Sequence, residues 1–128
     1  MGTSPKVLVV DDNAMNQEVI VEFLELEDYD IDQANDGQEA LDLVKANDYD
    51  LILMDIMMPV MDGVTATRNI RELDDPSKNQ VRIIAVTAKV ARDNAHVWKQ
   101  AGFNGYIIKP FDEDELWAVI NGEDEFAD

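Results

Sequence analysis

Two periods of apolar spacing alternate along the chain. Residues 6–10 (Lys-Val-Leu-Val-Val), 49–54, 81–86 and 105–108 are short, nearly continuous apolar runs between polar and turn residues. That is the pattern of strands buried on both faces of a parallel sheet. Residues 29–34 form a weaker strand, half polar and with Ile31 as its apolar contact, which places it at a sheet edge. Between the strands the spacing becomes helical. Val19, Ile20, Phe23, Leu24 and Leu26 mark a helix over 16–26. Ala40, Leu41, Val44 and Ala46 follow Asp36-Gly37 on one helical face, and Val64, Ala66, Thr67, Ile70 and Leu73 mark a helix over 63–73. Further helices are predicted over 91–101, ended by Gly102, and over 112–120, with Asp112 as N-cap. Residues 74–79 (Asp-Asp-Pro-Ser-Lys-Asn) read as a loop.

Five strands alternating with five helices make an α/β fold, a parallel sheet covered on both faces. Right-handed crossovers and a central first strand give the order 2-1-3-4-5, with its topological switch point between strands one and three. Ligands bind at such a point, outside the C-terminal ends of the strands. Both strands end there in acid: Asp11-Asp12 follow the first and Asp55 follows the third. Asp12 or Asn13 can also cap the next helix. Three carboxylates at one sheet edge cannot all stay ionised without a counter-ion, and hard oxygen ligands suit Mg²⁺. Thr87 and Lys109 end the neighbouring two strands. Lys109 can pair with Asp55 or stabilise an anion formed there. The set suits phosphoryl transfer to a carboxylate, in which positioning and charge neutralisation do most of the work.

Composition narrows the classes. The 128 residues suit one domain: a leader over 1–5, the folded unit over 6–120 and an acidic tail over 121–128. Without cysteine there is no disulfide framework and no thiolate metal site. A net charge of −18 disfavours nucleic acid and anionic membranes. The eight acidic residues after Lys109, with no Lys or Arg among them, reinforce this. No apolar run has membrane-spanning length, and no signal-peptide pattern opens the chain, so a cytoplasmic location is expected.

The segments Val9-Val-Asp11-Asp12-Asn13, Leu53-Met-Asp55-Ile-Met-Met-Pro59-Val-Met-Asp62-Gly63, Val86-Thr87-Ala88 and Tyr106-Ile-Ile-Lys109-Pro110 occur in this order. They resemble the receiver domain of two-component response regulators, over residues 6–120. The resemblance implies that Asp55 accepts a phosphoryl group from a phosphohistidine on a histidine kinase or histidine phosphotransfer protein. It implies Mg²⁺ held directly by Asp12, Asp55 and the Met57 backbone carbonyl, with Asp11 acting through water. Lys109 would contact the phosphoryl oxygens, Thr87 would move to them after transfer, and Tyr106 would rotate inward as the switch aromatic. The readout face for a downstream effector would combine the fourth helix (91–101), the fifth strand and the fifth helix (112–120). Such a domain catalyses its own phosphorylation and dephosphorylation and is not otherwise an enzyme. It serves as a stand-alone regulator or as the receiver of a hybrid histidine kinase.

Met15, Pro110 and Phe111 are expected to give the phosphodonor its apolar contacts. Met57 and Lys89, two residues after Asp55 and Thr87, occupy places that tune phosphoryl lifetime in the family. His96 reads as a surface residue, and Trp98, Trp117 and the methionines near Asp55 read as packing. An Mg²⁺-dependent aspartyl-phosphate phosphatase or phosphotransferase is the alternative, but it would want a general acid where Met57 stands. A flavin module is disfavoured, because Asp11-Asp12 would repel its phosphate.

Overall fold

Each apolar run becomes a strand of one sheet. The computed structural model describes residues 5–88, 95–109 and 111–122. The elements are β1 (Lys6–Val10), α1 (Ala14–Glu25), β2 (Asp30–Ala34), α2 (Gly37–Ala46), β3 (Leu51–Asp55), α3 (Gly63–Arg71), α4 (Pro76–Asn79), β4 (Arg82–Ala88), α5 (Ala95–Ala101), β5 (Gly105–Lys109) and α6 (Glu113–Ile120). The strands are all parallel, in the predicted order β2-β1-β3-β4-β5.

Side chains alternate across the strands and fill two cores. Leu8, Val10, Ile52, Met54, Ile83 and Ala85 pack with Ala40 and Val44 of α2, Ala66 and Ile70 of α3 and Trp98 of α5. Val7, Val9, Leu51, Leu53, Ile84, Val86 and Ile107 pack with Ile20 and Leu24 of α1 and Leu116 and Val119 of α6. Between their end residues the central strands are therefore apolar on both faces, which is why they read as runs and not as alternations.

The helix ends follow capping chemistry. Asn13, not Asp12, caps α1, its side chain accepting from the N–H groups of Met15 and Asn16. Asp112 and Glu115 form a reciprocal capping box at α6. Gly102 sits at φ 111° after α5, with Phe103 N–H bonded back to the Trp98 carbonyl. One segment departs from expectation: the loop over 74–79 contains the single turn α4, giving six helices among the described residues. Asp75 caps that turn and Pro76 starts it, so residues that read as a turn also open a helix.

The α3–β4 connection is pinned from two sides. Lys78 Nζ donates to the Val44 and Asn47 carbonyls and pairs with Asp48. Arg71 Nη1 donates to the carbonyls of Asn79 and Val81, while its Nε and Nη2 reach the Gly102 carbonyl and Nη2 also bonds Asn104 Oδ1. Burial pushes the Arg71 pKa down.

Candidate functional site

The parallel register brings the acidic strand ends together. Val10 pairs with Met54, so Asp11 and Asp55 lie one step further along adjacent strands. Asp55 pairs with Val86 and is the last residue of β3; Thr87 and Lys109 also lie within their strands, not after them. The carboxylates of Asp11, Asp12 and Asp55 converge, each offering an oxygen within 4.8 Å of the others. Asp11 and Asp55 are 1% and 6% exposed, whereas Asp12 faces solvent.

Lys109 does not pair with Asp55 alone. Its ammonium lies 3.2 Å from Asp11 Oδ2 and 3.7 Å from Asp55 Oδ1, bridging the two and nearer to Asp11. Asp11 Oδ1 also accepts from the Asn13 N–H at 2.8 Å. The Asp55 carboxyl is pushed up to about 6 from 3.8. Burial is the main cause; Lys109 opposes it, Asp11 raises it further, a hydrogen bond from the Met57 backbone lowers it and Asp12 raises it again. With all three carboxylates ionised, one ammonium leaves two negative charges unbalanced. An oxygen-lined site with that deficit fits a hard divalent cation.

The loop after β3 shapes the floor and rim. A Cβ on Gly63 would lie 2.1 Å from the Asp55 carbonyl oxygen, and one on Gly37 would lie 2.3 Å from the Met61 carbonyl. Only glycine permits these approaches, which fix α2 and the start of α3 against the loop. Between them Met61 N–H bonds the Pro59 carbonyl at 2.7 Å, a three-residue turn centred on Val60 at φ 68°. A β-branched residue at positive φ is strained. Met57 and Val60 point outward, 77% and 82% exposed, so Met57 is rim rather than packing. Met54 is buried, and Met58 and Met61 are half-buried.

Strand alternation puts Thr87 and Tyr106 on the opposite face of the sheet from Asp55. Alternation places Thr87 on the face of Ala85, which pairs with Tyr106, opposite to the face of Val9, Leu53 and Ile107. Thr87 is buried; Tyr106 is half-buried, its ring 5.5 Å from that of buried Trp98 and tilted by 57°. His96 is exposed. Trp117 stacks on Tyr29 at 5.9 Å. Beside the site, a groove of about 420 Å³ is lined by Asn16, Val19, Ile20, Lys109 and Phe111. Met15, next to Asn16 on α1, is 76% exposed. Pro110 and Lys89 lie outside the described residues.

The family model for the response regulator receiver domain matches residues 7–121. The chain belongs to that family. Among curated relatives, this receiver domain is 40% identical over 121 residues to hybrid signal transduction histidine kinase I of Dictyostelium discoideum, covering 91% of the chain and 7% of the relative. It is 42% identical over 111 residues to transcriptional regulatory protein ResD of Bacillus subtilis, covering 87% of the chain and 44% of the relative. The receiver domain thus spans less than half the length of these relatives. Among solved structures, it matches the receiver domain of a Pseudomonas aeruginosa sensor histidine kinase with magnesium in its active-site cleft. That match has TM-score 0.83 and 37% identity, over 92% of this chain and 95% of the other. It also matches the chemotaxis response regulator CheY4 of Vibrio cholerae with TM-score 0.85 and 28% identity, over 93% and 98% of the two chains. Among the described residues of the receiver domain, no helix is long and apolar enough to cross a membrane.

Two polar anchors were missed in the sequence, Gln17 beside the site and Arg71 at the opposite end of the sheet. Gln17 carries its amide into the buried face of α1, and Arg71 ties α3 to the turn before β5. Gln17 had a signal: it shares a helical face with Ile20 and Leu24, where an apolar residue is expected.

Proposed function

We propose that Asp55 accepts a phosphoryl group from a phosphohistidine of a histidine kinase or phosphotransfer protein. The observation that carries this is the convergence of three carboxylates on a lysine held between two of them. An Asp55 oxygen bonds to phosphorus as the phosphorus–nitrogen bond breaks and the departing imidazole takes up a proton. Lys109 holds its charge beside Asp55, where the phosphoryl oxygens gather. Asp12, Asp55 and the Met57 carbonyl would hold Mg²⁺, with Asp11 acting through water. Bound there, the cation supplies charge neutralisation to the phosphoryl oxygens.

Phosphorylation then concentrates negative charge and strong acceptors at one strand end. Thr87 is the hydroxyl that moves toward it, and Tyr106 follows into the space behind. The effector reads this on α5, β5 and α6. The donor docks over α1 and the loop after β5, with Met15, Phe111 and Pro110 as apolar contacts. The chain acts on itself and not on a separate substrate, in the cytoplasm, as a stand-alone regulator or as the receiver of a hybrid kinase. No acidic side chain stands at position 57, which disfavours the phosphatase alternative.

The test is intact-mass measurement after incubation with acetyl phosphate, with and without Mg²⁺, beside Asp55→Asn. A single phosphoryl adduct that requires both Mg²⁺ and Asp55 is expected. Its absence, together with failure to bind beryllofluoride, would overturn the reading.

A further inference from the structure

Gln17 is a polar residue in a core position. It is 4% exposed, on the α1 face that also carries buried Ile20 and Leu24. Its Nε2 donates to the Asp11 carbonyl, and to the Ala34 carbonyl at 2.6 Å, with Asn35 Oδ1 more distant at 3.4 Å. The Ala34 carbonyl also accepts the Asp11 N–H at 3.1 Å. One buried amide therefore ties the end of β1 to the end of β2 at the point where the chain turns into α1.

We infer that Gln17 is a positioning residue for the metal-binding carboxylates, acting through the peptide plane between Asp11 and Asp12. A peptide unit is rigid and flat. Fixing the direction of the Asp11 carbonyl fixes the Asp12 N–H on the far side of the same plane. It thereby sets where the Asp12 Cα lies, and so the point from which its side chain leaves the turn. Asp11 has other restraints on its carboxylate, from Lys109 and the Asn13 N–H. Asp12 is exposed, so what the fold sets for it is the place of its backbone, from which the carboxylate must reach the cation. Without Gln17 the Asp11 carbonyl loses its donor inside the fold, and an unsatisfied buried carbonyl turns toward water. Turning it rotates the shared plane and moves Asp12 away from Asp55.

The inference rests on the Mg²⁺ reading of the carboxylate cluster, and the test separates the two. Mg²⁺ affinity is measured by isothermal titration calorimetry on the full chain, with unfolding temperature in EDTA recorded beside it. Gln17→Met keeps the length of the side chain and removes both donors. Its Mg²⁺ affinity is expected to fall about tenfold, the lower end of what loss of a residue orienting a metal ligand costs. Gln17→Asn keeps the amide but withdraws it by one methylene, and should fall between parent and Met. Val119→Ala, a cavity in the core under α6, is the control for lost stability, compared through the unfolding temperatures, and should bind as the parent does. Equal affinity of the parent and both Gln17 variants would overturn the positioning role, as would a matching loss in Val119→Ala. If Gln17→Met does not fold, a parental affinity in Gln17→Asn overturns it alone. A parent that binds no Mg²⁺ would overturn the metal reading, and this inference with it.

Discussion

Removing the charge of Asp55 is expected to stabilise the metal-free protein, although it removes the proposed phosphoacceptor. The carboxyl is pushed up to about 6, chiefly by burial, from 3.8 in the unfolded chain. Below 3.8 both states hold the proton and nothing is lost. As pH rises through the interval the unfolded state gives up its proton first, so unfolding is favoured, and the loss is complete above 6. A gap of that size corresponds to about 3 kcal/mol at pH 7.5 and roughly half that at pH 5. Asp55→Asn keeps the shape and discards the charge, and Lys109 retains Asp11 at 3.2 Å. The variant should therefore gain about 2 kcal/mol at pH 7.5 in EDTA, a rise of roughly 8 °C in a domain of this size. Urea and thermal unfolding, followed by circular dichroism at pH 7.5 and pH 5, measure it. The gain should shrink by about half at the lower pH. Saturating Mg²⁺ should raise the parent toward the variant while leaving the variant unmoved. A variant no more stable than the parent at pH 7.5, or a gain independent of pH, would refute the reasoning.

Three further outcomes follow from the geometry. Phe111→Ala opens the groove wall beside Lys109; it should slow transfer from a protein phosphodonor while leaving acetyl phosphate labelling unchanged, and equal slowing of both would sink the docking surface. Arg71→Met strips the donors from the carbonyls of Asn79, Val81 and Gly102; a loss of about 3 kcal/mol in urea unfolding is expected, and a loss under 1 kcal/mol would show those carbonyls satisfied by water. Val60→Gly removes a side chain from φ 68°; the strain relieved exceeds the entropy lost, so unfolding should shift by about +1 kcal/mol, and a destabilised variant would contradict the strained turn.

The strands were legible because a strand buried on both faces has no polar position to interrupt it. Their C-terminal ends were not. Asp55, Thr87 and Lys109 read as residues beyond the strands, yet their backbones stay in the ladder. Side-chain polarity does not report main-chain pairing. The short helix at Pro76 was hidden for a related reason: Asp-Pro serves a turn and a helix start equally well. Asp11, Asp12 and Asp55 could be placed together from strand order alone. The preference of Lys109 for Asp11 could not, because it depends on how one flexible side chain divides itself between two carboxylates. Gln17 and Arg71 were passed over because glutamine and arginine on helices ordinarily face water, and only their three-dimensional partners show otherwise.

The bridge made by Lys109 spans 98 residues of chain, from the end of the first strand to the end of the last. A ribosome delivers the acids first and their cation near the end of the fold. Without β5, Asp11 and Asp55 would meet at the sheet edge with no ammonium between them, and like charges oppose that arrangement. The Lys109 ammonium on β5 offsets part of that repulsion. Contacts this distant in sequence are closed late and at the greatest entropic expense. The lysine proposed to meet the phosphoryl group thus also makes the charge balance of the proposed acceptor depend on the placement of the final strand.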